Sequence, residues 1–246
     1  MSDGRRTGAL PVPEEEGHVP PGAPAAPEAA WQASSARPGR ASVTLSAEGV
    51  VTGNTYDKYG SGNPLVRRMM AGFERELDGL MALADPRSLL DVGCGEGVLV
   101  HRWARMLPDR RIVGLDLEEP SLQAGWAERQ AANLEYRIAQ AERLPFGDRE
   151  FDLVSAIEVL EHLPDPRESV AEMARCAATH LLVSVPREPI WRALNMARGA
   201  YWSALGNTPG HLNHWSRRGI VELLGGVGEV VEVRTPLPWT LVLVRL

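Results

Sequence analysis

Apolar residues recur along this chain at two different spacings. Leu65, Met69, Met70, Phe73, Leu77, Leu80 and Met81 follow one another at three- and four-residue steps, which predicts an amphipathic helix starting at Asn63. Beyond it, short apolar runs alternate with helical stretches. Strands are expected at 88–91, 111–116, 135–139, 151–157 and 181–185, and helices near 97–107, 120–132 and 166–177. Pro120 suits a first helical position and Asn133 a helix stop. Strict alternation of this kind builds a parallel sheet with helices on both faces, so the fold class is α/β. The end of the chain breaks the pattern. After a helix near 216–224, strands at 229–234 and 239–245 are separated only by a short turn containing Pro236 and Pro238. So short a connection can join only an antiparallel pair.

The first 40 residues have no apolar periodicity. Pro11, Pro13, Pro20, Pro21, Pro24 and Pro27 forbid regular helix or strand there, and the segment reads as a disordered tail (1–40) ahead of one domain (41–246). Docking of that tail on a partner is the other reading. The net charge of −6 argues against nucleic acid as an obligate partner. No apolar run approaches the ~20 residues that span a bilayer, and Arg5 and Arg6 have no apolar segment behind them, so neither an integral membrane segment nor a secretory signal is expected. The two cysteines, Cys94 and Cys176, lack metal-ligand spacing and fit a reduced, cytoplasmic setting.

The chemistry concentrates after the first strand, in Asp91-Val92-Gly93-Cys94-Gly95-Glu96-Gly97. Glycines between a strand and a helix allow a tight turn and a ligand against the main chain, and the helix offers free N–H groups. Asp116 ends the next apolar run, at the spacing where an acid on a second parallel strand can hold both hydroxyls of a ribose. A dinucleotide fingerprint would need Gly-x-Gly-x-x-Gly, but Val98 stands where the third glycine belongs. Asp91 and Glu96 would repel a pyrophosphate; they would not repel a ligand bearing an amino group and a sulfonium. Further blocks follow in order: Ala141-Glu142-Arg143-Leu144-Pro145-Phe146, Phe151-Asp152-Leu153-Val154, and Glu158-Val159-Leu160-Glu161-His162-Leu163-Pro164-Asp165-Pro166.

These blocks, in this register, resemble the class I S-adenosylmethionine-dependent methyltransferases, in particular the type 11 group and the ubiquinone-pathway O-methyltransferases. The resemblance runs from about Tyr56 to the C-terminus. It implies a Rossmann-like, seven-stranded, mostly parallel sheet of order 3-2-1-4-5-7-6 with strand 7 antiparallel, and S-adenosyl-L-methionine as cofactor. It also implies cofactor contacts for Gly93, Cys94 and Gly95 through the backbone, with Asp91 either reaching the amino group through water or only fixing the loop. Asp116 and Leu117 would serve the ribose and adenine, and Ala141 and Glu142 the adenine. Ile157 and Glu158 would end strand 4 over the cofactor, with Ile157 contacting the methionine portion by backbone or packing. Where many relatives have an acid, this chain has Gln140, which can accept from the adenine amino group but carries no charge. Tyr59 could close over the cofactor, or simply pack. The Asn63-Pro64-Leu65 run resembles one that precedes a cofactor-contacting arginine, for which Arg67 is a shifted match.

Glu158 and His162 lie four apart and could share a helix face. His162 is either a general base or a structural hydrogen-bonding residue. The connection 186–215 is overlong and holds Trp191, Tyr201, Trp202, His211, His214 and Trp215. Ile190, Trp191, Leu194, Tyr201 and Leu205 could form one helical face. The segment reads as a lid packed on the domain, as an acceptor pocket, or as a basic amphipathic helix on a membrane. The expected activity is methyl transfer to a small-molecule acceptor, to oxygen in the first instance, with His162, His211 and His214 as base candidates and no metal. A nicotinamide-dependent oxidoreductase and a non-catalytic cofactor-binding protein are the alternatives.

Overall fold

The computed structural model describes residues 63–197 and 199–246, together with a two-residue antiparallel pair, Thr44–Leu45 with Val51–Thr52. The proposed tail and Tyr56 and Tyr59 lie outside the described residues. The main sheet contains β1 (Ser88–Val92), β2 (Arg111–Asp116), β3 (Leu134–Ile138), β4 (Phe151–Ile157), β5 (Ala177–Pro186), β6 (Glu229–Arg234) and β7 (Trp239–Arg245). Its spatial order is β3-β2-β1-β4-β5-β7-β6. The first five strands run parallel, and β7 is antiparallel to both β5 and β6. The reversal follows from the short turn between β6 and β7, as the sequence requires.

The α-helices among the described residues are α1 (Pro64–Ala84), α2 (Val98–Met106), α3 (Pro120–Glu128), α4 (Pro166–Cys176), α5 (Ile190–Ala197) and α6 (Arg217–Leu224). Successive strand residues serve opposite cores. Leu89, Ile112, Leu153, Leu182, Leu241 and Leu243 pack with α1, α2 and α3, whereas Leu90, Val113, Val154, Leu181, Val242 and Val244 pack with α4 and α6. Because both faces are covered, each strand is apolar at consecutive positions. Trp103 on α2 has no exposed surface, and burial of so large a side chain contributes several kcal/mol, with ~3–5 kcal/mol lost on truncation to Ala.

Local chemistry sets the helix ends. Asn63 Oδ1 accepts from Leu65 N–H (2.9 Å) ahead of Pro64, and Asp165 Oδ1 accepts from Arg167 and Glu168 N–H (both 3.0 Å) ahead of Pro166. Three expectations need correction. α3 ends at Glu128, short of Asn133, whose side-chain amide instead reaches the carbonyls of Ala104, Leu107 and Arg110 and closes the end of α2. The helical face through Tyr201 and Leu205 does not form, because α5 stops at Ala197 and both residues have left-handed backbone (φ 56° and 50°). Glu158 and His162 share no helix: they lie in the turns between β4 and α4, and Glu158 is itself left-handed (φ 62°).

Candidate active site

The strand order reverses beside β1, so a crevice opens at the carboxyl ends of β1 and β4. A cavity of about 930 Å³ occupies it, enough for a nucleoside-sized ligand and a second small molecule. Of the expected cofactor residues, Asp91, Gly93, Cys94, Gly95, Asp116, Leu117, Gln140, Ala141, Glu142, Ile157 and Glu158 all line it. Tyr59 lies outside the described residues. Arg67 is exposed on α1 and does not line the cavity, so the shifted arginine match has no structural support.

The floor of the crevice is held by main-chain groups. Gly93 and Cys94 N–H both donate to Leu115 O (2.7 and 3.0 Å), which ties the glycine loop to the tip of β2. Gly93 has φ 77°, and a Cβ there would meet Val159 Cγ2 at 2.4 Å, so any side chain would be both strained and in collision. Gly95 has φ 57° and faces open space instead, while its N–H and carbonyl are bonded to Asp116 and the Trp126 indole. Asp116 Oδ2 accepts from Gly95 N–H (2.7 Å) and Oδ1 from Leu117 N–H (2.8 Å). A carboxylate has about four acceptor sites, so these two bonds fix its orientation and leave two for the paired hydroxyls of a ribose. Burial raises the Asp116 pKa against those N–H bonds. Asp91, 2 % exposed, accepts from Ser155 Oγ (2.6 Å), and burial pushes its pKa up to about 7.

The wall formed by 140–146 is anchored from behind. Leu144 N–H donates to Glu172 Oε1 (2.9 Å), and Arg175, bonded to Glu172, reaches Phe146 O (2.9 Å). The Arg175 guanidinium holds Glu172 below the usual carboxylate range. Glu158 is the junction between the two halves of the cavity. Its Oε1 accepts from Ser184 Oγ (2.9 Å) and its Oε2 from the indole N–H of Trp239 (2.7 Å).

Aromatic rings build the rest. Trp239 packs against Phe73 (ring centroids 4.8 Å) and Trp191 (6.1 Å), and Trp191 stacks on His211 (6.1 Å, 23°). The indole N–H of Trp191 donates to Thr208 Oγ1 (2.9 Å), which also accepts from the buried Asn195 (3.1 Å). The 186–215 connection is tied back by Leu212 and Asn213 N–H, which donate to Glu161 O (2.8 and 3.0 Å). His162 and His211 meet edge to face at 5.0 Å, with His162 Nδ1 2.9 Å from Gly210 O. His214 does not join them. It lies 3.7 Å from Glu188 and outside the cavity lining, so it leaves the set of base candidates. The expectation of a metal-free site rested on the lack of an acidic cluster along the chain. In space, Glu161, His162 and His211 come together, with ligand atoms all within 4.8 Å of one another.

Sequence reasoning missed Trp239, Phe73, Ser155, Ser184 and Glu161. Glu161 lies inside the 158–166 block but was given no role there; the others depend on strand pairing, and no local motif marks them.

A Rossmann-like sheet with a glycine loop after β1, a buried acid at the tip of β2 and a cavity extending over β4 is the architecture of a class I methyltransferase. The sequence comparisons agree. Residues 90–180 match the model described as "Methyltransferase domain". The chain is 34% identical over 164 residues to a ubiquinone biosynthesis O-methyltransferase of Methylococcus capsulatus, covering 58% of this chain and 67% of that protein. It is 31% identical to a malonyl-[acyl-carrier protein] O-methyltransferase of Hahella chejuensis, over 44% of this chain but only 40% of the relative. In fold it is similar to the magnesium protoporphyrin IX methyltransferase of Synechocystis PCC 6803 with bound S-adenosylhomocysteine (TM-score 0.56, 18% identity, 76% of this chain and 90% of that one). The chain belongs to the class I S-adenosylmethionine-dependent methyltransferases, and its cofactor is S-adenosylmethionine. No helix among the described residues is long and apolar enough to cross a membrane.

Proposed function

We propose that this enzyme methylates an oxygen of a small, flat, largely apolar acceptor. The supporting observation is the acceptor half of the cavity, where Phe73, Trp191 and Trp239 present ring surfaces and the His162–His211 pair lies among them. Similarity to O-methyltransferases acting in ubiquinone biosynthesis favours the same atom class.

When bound, S-adenosylmethionine supplies a methyl group already activated on a sulfonium. The chain's task is to bind, orient and exclude water. Asp116 takes the ribose, Leu117, Gln140, Ala141 and Glu142 enclose the adenine, and Gly93 and Gly95 lie along the methionine portion. Asp91 faces the amino group, where a cation favours its ionised form. Glu158 links the compartments: its left-handed backbone is of the costly kind found at functional sites, and its carboxylate fixes the Trp239 ring at the acceptor wall. Alignment of two reactants in one water-poor site can supply up to ~10 kcal/mol of the barrier. A hydroxyl must also lose its proton, and His162 and His211 are the imidazoles that line the cavity among the described residues.

The segment 186–215 acts in this reading as the lid. A cytoplasmic setting belongs to the proposal, supported by the two free, buried cysteines, and the net charge of −6 favours a small molecule over nucleic acid. The test is release of S-adenosylhomocysteine in the presence of phenolic, carboxylic, amine and thiol acceptors. Turnover with hydroxyl-bearing aromatic acceptors is expected. Turnover confined to amines or thiols would overturn the oxygen assignment.

A further inference from the structure

We propose that the Thr208 hydroxyl is a specificity-determining hydrogen-bond donor of the acceptor compartment, placed to receive a second acceptor oxygen, of the carbonyl class, beside the oxygen that is methylated. The inference deepens the O-methylation reading and rests on it for the compartment that the acceptor occupies.

The hydrogen-bond inventory comes first. A hydroxyl has two lone pairs and one hydrogen. Thr208 Oγ1 lies 2.9 Å from the indole Nε1 of Trp191 and 3.1 Å from Asn195 Nδ2. An indole nitrogen can only donate. The Asn195 amide is fixed as well, because the same nitrogen lies 2.8 Å from Gly206 O, which can only accept. Both lone pairs of Thr208 are therefore taken. What remains is the hydrogen, and no acceptor among the described residues receives it. The threonine is 6% exposed and lines the cavity. A hydroxyl withdrawn from water with its hydrogen unused costs free energy, and a ligand oxygen in the cavity removes that cost.

Construction comes second. Trp191 and Asn195 both belong to α5, so both bonds hold the hydroxyl from one helix. Thr208 reaches that helix on a tight return of the chain. Leu205 and Gly206 are both left-handed (φ 50° and 77°), and a Cβ at Gly206 would collide with Arg192 O, so the backbone runs directly against α5. Arg192 Nε donates to Leu205 O (2.9 Å) and Gly206 N–H to Tyr201 O (2.9 Å), which locks the return. Threonine is also stiff at χ1. The donor is in place before any acceptor arrives. From Thr208 the chain turns at once to His211, whose N–H donates to Thr208 O (3.1 Å). One turn of backbone thus carries both the hydroxyl donor and an imidazole, and both residues line the cavity.

The surroundings give the ligand class. The Trp191 indole that holds the hydroxyl packs against Trp239, and Trp239 against Phe73. Ring surfaces accept a flat ligand whatever its substituents. A preset O–H does not, because an analogue with carbon in place of the oxygen leaves the hydroxyl unpaired, and sites of that kind reject such analogues strongly. A neutral donor among rings suits a neutral oxygen such as a ketone or aldehyde carbonyl.

The test uses the full chain and three pairs of phenols: the ortho, meta and para hydroxyacetophenones, each against the phenol in which isopropenyl replaces acetyl. The members of a pair have the same flat shape and differ in the carbonyl oxygen. Wild type should prefer the acetyl member in at least one pair by about tenfold or more in kcat/KM. Thr208→Val should erase that preference and Thr208→Ser should keep it. A merely structural threonine would lower both members alike and leave the ratio unchanged, and differences in phenol acidity act on wild type and variant equally. S-adenosylhomocysteine affinity within about threefold of wild type shows that the valine variant keeps its fold. Where it does not, a crystal of wild type with S-adenosylhomocysteine and the preferred phenol decides: an acetyl oxygen on Thr208 Oγ1 supports the proposal, and one bonded elsewhere overturns it. Absence of preference in every pair, in turnover and in binding, would overturn the proposal, as would a preference that survives in Thr208→Val. Equal turnover within every pair would remove the Thr208 donor and leave O-methylation standing. Preferential binding of an acetyl phenol, read by calorimetry and lost in Thr208→Val, without methylation of any hydroxyl would keep the donor and remove the O-methylation reading.

Discussion

The two halves of the cavity are built in different ways. In the cofactor half, the glycine loop is held largely by backbone over modest sequence distance: Gly95 N–H reaches Asp116 across 21 positions, and the loop hangs from Leu115 O, with the Asp91–Ser155 side-chain bond as the long-range exception at 64 positions. In the acceptor half, contacts are side-chain rings and long-range pairs, with Glu158 to Trp239 spanning 81 positions and His162 to Gly210 spanning 48. A group whose position is set by sheet pairing cannot drift unless the sheet does. A wall of rings held by single hydrogen bonds can be re-lined by substitution. The first half thus suits a ligand that stays the same, and the second suits one that changes between relatives.

The contrast breaks if the two halves respond alike. The largest effect should come from Asp116→Ala, which removes two charge-assisted hydrogen bonds to the ribose, each worth roughly 1.5–3 kcal/mol. S-adenosylhomocysteine affinity should fall by about 100-fold or more with an unchanged circular dichroism spectrum. Calorimetry with unaltered affinity would remove Asp116 from the ribose.

Next in size is a pH effect confined to the cofactor half. Asp91 has its pKa raised by burial from 3.8 to about 7, and an ammonium ligand needs it ionised. Affinity for S-adenosylhomocysteine should therefore rise about tenfold between pH ~6 and ~8. Stability moves the other way. The folded state holds this proton more tightly than the unfolded chain, so the contribution is complete below pH 3.8 and is lost as pH rises through about 7. Asp116, also raised by burial, adds in the same sense. Asp91→Asn keeps the Ser155 bond and should flatten most of both profiles; a variant with the wild-type pH dependence would show that Asp91 is not the titrating group.

The acceptor half should give the complementary pattern. Trp191→Ala removes the ring between Trp239 and His211 and should lower turnover about tenfold or more with S-adenosylhomocysteine affinity within about threefold. A large loss of cofactor affinity would move the lid to the other half. The smallest effect belongs to neither half. Deletion of residues 1–40, which lie outside the described residues and have no apolar pattern to bury, should shift the melting temperature by less than ~5 °C.

What the sequence reveals follows the same division. The strands, the reversed hairpin and the loops that line the crevice at β1 and β2 were legible because each is a contiguous block with its own period or turn chemistry. The acceptor half was legible only as a composition. Nothing local says that His211 faces the cavity while His214 turns to Glu188, because that depends on which lid residues bond to Glu161 O. Nor does a helical reading of Glu158 through His162 survive a left-handed residue that only the surrounding bonds to Ser184 and Trp239 can enforce. Asn133 looked like a stop for its own helix and closes a different one, since the amide reaches whichever carbonyl ends the fold brings near.

The most direct measurement is a crystal structure of the enzyme with S-adenosylhomocysteine bound. The account predicts both ribose hydroxyls on the Asp116 carboxylate, the amino group on the Asp91 side of the glycine loop, and the sulfur facing the compartment walled by Trp191, Trp239 and His211. A ligand whose ribose lies away from Asp116, or whose sulfur points away from those rings, would contradict it.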